Sequence, residues 1–413
     1  MTAQNTARAT LGPSDTTKLW IHDDTHRSWL QTQSETLFSF FDASLQGDAG
    51  FTLLDYHGRP LPTDIQELHT TTRLIHSYAL GVLRGHPGAE QIVDHGMAYL
   101  KSHHHDQVHG GYAWSVKGDA IADGTKLAYG HVFVLLAASS AKCAGHPDAD
   151  ALIDDISSVL HQRFWEDDAG LFSDEWNRDW TPFSDYRGMN ANMHGVEALL
   201  AAYEATGIEI YLTRAGRILD FFTDKMARQA QWRLPEHYHA DWSADRSYAG
   251  NHMFRPAGTT PGHSFELGRL LLQHWDLAGR PATDAPHRAR CLIEQALEDA
   301  WLPDGGIAYT LNFDGGVADA SRFWWPVTEA INALSTLLLI DENPADEVWY
   351  RKVWGFADKR FIDHQSGGWF PAIDRDGVPT RSIFAGKPDI YHALQACLFP
   401  LSGRVSSMAK GWR

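Results

Sequence analysis

The sequence predicts an all-α chain folded as an (α/α)6 barrel, with short β-hairpins between helix pairs at the mouth of the ring. Three observations lead there. One unit recurs at a spacing of about sixty residues: a Gly-aromatic strand-like stretch, a polar turn, then a helix with polar residues at its start. A second helix lies between successive copies. Every copy carries chemistry-capable side chains at the equivalent helix start, which closure into a ring would gather at one mouth; an open array would instead need polar caps at both ends.

Taken in order, residues 1–18 are Thr- and Ala-rich without an apolar core and are expected to form a flexible tail. Residues 19–413 are expected to form a single barrel domain, since no Pro-, Gly- or Ser-rich linker interrupts them. The strand-like stretches begin at Gly50, Gly110, Gly170, Trp232, Gly305 and Gly367. The helices that follow include Leu68 to Tyr78, Lys126 to Ala138, Asn190 to Tyr203, the stretch from Pro261, the stretch from Trp325 and the stretch from Asp389. Second helices are expected over 89–103, 149–164, 210–227, 285–301 and 346–361. In the third copy, Leu199, Leu200 and Tyr203 recur at helical spacing, and Asn190 and His194, four apart, share a face.

The net charge of -17 argues against nucleic acid and anionic membrane surfaces as partners. Apolar runs such as 132–138 are too short to span a bilayer. Cys143, Cys291 and Cys397 lie far apart without metal-ligand spacing, which predicts buried free thiols and, with no signal peptide evident, a cytoplasmic setting. A homo-oligomer is compatible with the sequence. Sixteen tryptophans exceed what a core of this size calls for, so some are expected to line a ligand cavity.

The inner-helix starts collect Arg73, Lys126, Tyr129, His131, Asn190, His194, Arg255, His263, Glu266, Trp325, Glu329, Asp389 and His392. His263 and Glu266 share a face, as do Asp389 and His392, and Trp325 and Glu329. Burying so many polar groups is costly without a use for them. Imidazoles take and return protons near neutrality, arginine stabilises an enolate oxygen, and tryptophan offers a platform for a sugar face. The set predicts proton transfer on a polyol. No metal site is expected: His103-His104-His105-Asp106 reads as a solvated turn, and His237 and His239 on one strand face are a weaker metal candidate.

Several stretches resemble the N-acylglucosamine 2-epimerase superfamily, in its aldose–ketose isomerase branch. They are Tyr186-Arg187-Gly188 with Asn190 to His194; Phe254-Arg255-Pro256 with Pro261-Gly262-His263 and Glu266; Trp325 with Glu329-Ala330; and Gly386 to Gln395. The resemblance implies the same barrel, no cofactor, and isomerisation through a cis-enediol. D-mannose to D-fructose is the leading reaction, with sulfoquinovose isomerisation or 2-epimerisation as alternatives. It implies His263 and His392 as acid/base histidines and His194 as a third, near the ring oxygen. Glu266 would tune a histidine, and Arg73, Tyr129, Asn190, Arg255, Trp325, Glu329 and Asp389 would bind substrate. His69 stands where relatives often carry Trp, and Pro371 follows Trp369-Phe370 where some relatives place a polar side chain. Both departures fall where recognition of C6 is expected, and they lean towards a neutral hexose. A glycoside hydrolase on two carboxylates, or a non-catalytic sugar binder, are the readings from other classes.

Overall fold

The computed structural model describes residues 10–13, 18–45, 47 and 50–412. Most of the expected flexible tail, residues 1–9 and 14–17, lies outside the described residues. Within it, the carbonyls of Leu11 and Pro13 accept hydrogen bonds from His26 and Trp20.

Among the described residues, twelve α-helices alternate between an outer and an inner layer. The inner six are α2 (Leu68–Arg84), α4 (Ala128–Ala144), α6 (Met189–Thr206), α8 (Pro261–Leu277), α10 (Trp324–Ile340) and α12 (Tyr391–Ser402). The outer six are α1 (Asp24–Phe41), α3 (Ala89–Tyr99), α5 (Ala149–Val159), α7 (Glu209–Leu219), α9 (Ala285–Ala300) and α11 (Pro344–Arg360). Each inner helix packs on the next, α12 packs back on α2, and each outer helix covers one inner helix. The ring is therefore closed, as the repeat predicted. Helix α1, which the repeat does not announce, is the sixth outer helix. Asp23 caps it by accepting from the N–H groups of Thr25 and His26.

Burial separates the layers. Helix α10 is apolar nearly all round and buried along almost its whole length, as a helix enclosed by others must be. The outer helix α5 buries only one face, through Ile153 and Ile156. One apolar cluster runs through all twelve helices. Inner helices α2 and α4 end on Gly85 and Gly145, at φ 73 and 90, a left-handed turn that glycine adopts without strain and that sends the chain outward. Among the described residues, no helix is long and apolar enough to cross a membrane.

The hairpins do more than connect. The strand before each inner helix pairs with the hairpin of the following unit. Ile65–Glu67 pairs with Ser115–Lys117, Lys126–Leu127 with Glu175–Trp176, Arg187–Gly188 with His237–Tyr238, and Arg322–Phe323 with Ala372–Ile373. Single bridges supply the other two links, Thr259 to Leu311 and Leu54 to Lys387. The last of these joins the first unit to the sixth.

Four of these strands also carry a cation bound to an acid of the preceding hairpin: Lys126 to Asp106, Arg187 to Glu166, Arg322 to Asp304 and Lys387 to Asp363. Lys126, expected at the mouth, is thus committed to a structural pair. The expected solvated turn at 103–106 is corrected too. A wide π-helical turn over Leu100–His104 rotates His104 inward to Thr71, and Asp106 is buried beneath Lys126 and Arg178. Nor are the cysteines uniformly buried: Cys397 is, whereas Cys143 and Cys291 are half-buried.

Lys126 and Asp106 have no exposed side-chain surface and lie 3.0 Å apart. Asp106→Ala strands a buried ammonium, with an expected loss of about 3–5 kcal/mol of stability. Adding Lys126→Met should restore most of it. Urea unfolding of the single and double variants reads both effects.

Candidate active site

The mouth formed by the six helix starts opens into a cleft with two joined parts. The inner part, about 170 Å³, is lined by Arg73, His194, His263, Glu266, Trp325, Asp389 and His392, with an apolar wall of Phe323, Trp324 and Phe384. The outer part, about 190 Å³, is lined by Trp114, Asp174, Tyr186, Glu236, His237 and Arg255. His69, Tyr129, Asn190, Phe254, Pro256 and His263 border both. Ten of the eleven residues singled out as catalytic or substrate-binding are therefore brought together at one cleft.

The eleventh is Glu329. Expected to bind substrate, it lies beneath the floor, fully buried, and accepts a hydrogen bond from His392 Nδ1 at 2.9 Å. The reason is helical geometry: Glu329 is four residues past Trp325 and so one turn deeper. His263 has an equivalent partner, with Glu236 Oε2 2.9 Å from its Nδ1. His194 turns Nδ1 towards Glu197, at 3.4 Å, and Glu266, at 3.5 Å. An ionised carboxylate only accepts, so each of these imidazoles carries its proton on Nδ1 and keeps the Nε2 lone pair for other use. Burial holds His194 neutral, lowering it to about 4.

Trp325 lies between two of these imidazoles, its ring 5.0 Å from that of His263 and 6.0 Å from that of His392. Gly262 permits this approach, since a Cβ there would lie 2.3 Å from the indole. Arg73 donates to Asp389 at 2.8 Å and to Tyr129 at 2.8 Å, which fixes the guanidinium at the cleft wall. Asp389 Oδ1 and Asn190 Oδ1 are buried without a protein partner, two acceptors at the cleft wall with capacity to spare. Further out, Arg255 stacks on Tyr186 and binds Glu175 at 2.8 Å.

Glu266 is the most unusual group. It is buried, and neither carboxyl oxygen has a hydrogen-bond partner. Burial, then the charges of Glu329 and Glu197, push it well above the usual carboxylate range, which favours its protonated form. Glu329 moves the other way: its burial is outweighed by the hydrogen bond from His392 and the charge of Arg269. Burial also pushes Asp174, in the outer part, up to about 8.

Other contributors were absent from the sequence reading. Glu197 holds His194 and accepts from Tyr391 and Gln395. Arg269, fully buried, lies 3.7 Å from Glu266 and 3.6 Å from Glu329. Both sit three residues from a recognised group, His194 and Glu266, so helical spacing was an available signal. Glu236 lies within the strand-like stretch that begins at Trp232, where no helical spacing marks it. His131 leaves the site: it binds the Tyr112 N–H and the Leu127 carbonyl. Trp369, Phe370 and Pro371 do not line either part of the cleft, whereas His69 does, stacked on Trp114 at 5.1 Å.

His194, Glu197 and Glu266 offer three ligand atoms within 4.8 Å of one another. Glu197 already accepts from Tyr391 and Gln395, and the Arg269 guanidinium lies 3.7 Å from Glu266. The donors suit a shared proton and an arginine better than a metal ion. His237 is engaged by Tyr186 and the Pro256 carbonyl, while His239 is exposed beside Asp245, so that pair does not converge.

A closed ring of helix pairs with three imidazole–carboxylate pairs at its mouth belongs to a known class: the chain is a member of the N-acylglucosamine 2-epimerase family, which residues 49–396 match. Among its relatives, D-mannose isomerase of Thermobifida fusca is 39% identical over 400 residues, covering 95% of this chain and 98% of that one. D-mannose isomerase of Pseudomonas cannabina pv. alisalensis is 36% identical, covering 94% and 96%. A crystal structure of D-mannose isomerase superposes with a TM-score of 0.86 at 30% identity, covering 94% of this chain and 99% of that one. Cellobiose 2-epimerase from Spirochaeta thermophila DSM 6192 shares the fold, with a TM-score of 0.80 at 22% identity.

Because Glu266 is raised from 4.5, folding loses stability as pH climbs through that value towards the folded one: the unfolded chain ionises first. Glu266→Gln removes this penalty. Thermal melts at pH 5 and pH 8 should show a larger fall for the wild type than for the variant; parallel falls would mean that Glu266 ionises normally.

Proposed function

We propose that the protein is a cytoplasmic aldose–ketose isomerase interconverting D-mannose and D-fructose without metal or cofactor, in one catalytic domain spanning residues 19–413. The observation that carries this reading is the pair His263–Glu236 and His392–Glu329, each with Nε2 left free, on either side of Trp325. Proton transfer is the chemistry such pairs perform. The full-length likeness to D-mannose isomerases supports the substrate.

The reaction needs three proton movements. Ring opening breaks the C1–O5 bond, with the anomeric hydroxyl losing its proton and O5 gaining one; His194 and His263 serve this step. His392 Nε2 then takes the proton from C2. The electron pair forms the C1=C2 bond, O1 gains a proton, and a cis-enediol results. The same imidazolium returns its proton to C1 while O2 loses its own and becomes the ketone oxygen. Arg73 and the neutral acid Glu266 stabilise the enediol oxygens without adding a base that would compete for the C2 proton.

A neutral hexose is favoured over sulfoquinovose by charge. The two arginines lining the cleft are already paired, Arg73 with Asp389 and Arg255 with Glu175, and the buried His194 is neutral. A sulfonate would need an uncommitted cation.

Incubation with mannose and with sulfoquinovose, followed by NMR of the products, tests the reading; turnover of mannose to fructose is expected. In heavy water, some deuterium should enter C1 of fructose. His392→Asn should bind mannose normally and lose about 10²–10⁴-fold in turnover. Near-normal turnover by that variant would remove His392 from the mechanism. Dialysis against a strong chelator should leave activity intact, and its loss with recovery on adding one divalent metal would end the cofactor-free reading.

A further inference from the structure

Below the floor of the cleft, one guanidinium meets three carboxylates. Arg269 has no exposed surface. On its own helix it faces Glu266 at 3.7 Å, and across the ring it faces Glu329 on α10 at 3.6 Å. Glu197 on α6 and Tyr391 on α12 complete its electrostatic surroundings, and the Phe399 ring lies 4.6 Å beneath it. From α2, Arg73 and His76 act on Glu197 and its neighbours rather than on Arg269. Nη1 donates to Gln273, whereas Nε and Nη2 have no hydrogen-bond partner. A guanidinium so poorly hydrogen-bonded is costly to bury, and only its charge offsets that cost. Each carboxylate that it faces is in turn the partner of a catalytic imidazole, or lies beside one.

We propose that Arg269 is a positioning residue which sets the proton arrangement of the site from beneath, keeping Glu329 ionised so that His392 holds its proton on Nδ1 and presents Nε2 to the sugar as a base. Glu266 can be neutral and Glu329 charged in the same cluster because one cation cannot balance three anions. Of the two, Glu329 alone receives a hydrogen bond from an imidazole, and it takes the charge. Without Arg269, Glu329 would hold a proton at neutral pH and donate it to His392 Nδ1. The imidazole would then carry its own proton on Nε2, facing the C2–H it is meant to accept.

The role of His392 as the base rests on the isomerase reading; its tautomer does not, and the test uses both. With mannose as substrate, Arg269→Met should lower kcat with little change in KM. The acid limb of its pH profile should move up by about one to three pH units, so that raising the pH recovers rate. Arg269→Lys keeps the charge and should lie between this variant and the wild type. In protein labelled with ¹⁵N-histidine and free of substrate, His392 should be the Nδ1–H tautomer in the wild type at pH 7. In Arg269→Met it should be the Nε2–H tautomer, reverting as pH rises. A purely structural role would lower melting temperature and rate without moving the pH limb or the tautomer, and that result overturns the proposal. Should Arg269→Met not fold, the pH of the tautomer change in Arg269→Lys decides: higher than in the wild type supports the proposal, and unchanged overturns it. If the wild type leaves mannose untouched, the isomerase reading fails and the tautomer measurement still judges Arg269.

Discussion

Imidazole Nδ1 bound to a buried carboxylate is the interaction on which the rest of this site depends. It occurs in good geometry at His263–Glu236 and His392–Glu329, and more loosely at His194 between Glu197 and Glu266. Each contact does two things. It selects the tautomer, so that Nε2 is free, and it locks the ring against rotation. Placing these carboxylates in the barrel interior carries a desolvation cost that few folds could bear. Here it is offset within the cluster: beside Arg269, Glu329 and Glu197 are held below the usual carboxylate range, while burial and their charges push Glu266 above it.

That arrangement needs groups from distant parts of the chain at one place, and ring closure supplies them. Arg73 and Asp389 are 316 residues apart and form a 2.8 Å ion pair across the junction of α2 and α12. At the backbone level the Leu54–Lys387 bridge closes the same junction. Each strand before an inner helix is held by the next unit's hairpin, so the first turn of every inner helix is fixed at its N-terminal end. Cleft-lining side chains on first turns, such as Asn190, His263 and His392, thereby sit on the most constrained part of each helix. The buried cations Lys126 and Lys387 tighten those strands further.

The cleft itself divides the work. Its inner part combines three imidazoles, the buried acid Glu266 and the Arg73–Asp389 ion pair with indole and phenyl walls. Its outer part adds a second ion pair at its edge, Arg255 with Glu175, the guanidinium stacked on Tyr186. Phe254, 78% exposed, borders both parts and presents an apolar face at the opening.

The sequence by itself determined the number of units, the inner and outer roles of most helices, and the location of the chemistry at the inner-helix starts. These follow from local rules. Helical period puts Asn190 with His194, and His263 with Glu266, on one face, and the recurrence of the unit implies equivalent positions around a ring. Only the tertiary structure decided the partner of each group. The resemblance puts Glu329 among the substrate contacts, and helical spacing puts it on one face with Trp325, yet one helical turn moves it below the floor to His392. Lys126 lies beside Tyr129 in sequence and was read with it, yet its strand directs it to Asp106. Glu236 meets His263 only because a hairpin of one unit folds over the helix that follows it, and Arg269 meets Glu329 only because α8 and α10 are neighbours in the ring. Periodicity fixes which way a side chain points along its own helix; what it points at depends on how the ring closes, and with it which buried charges neutralise one another.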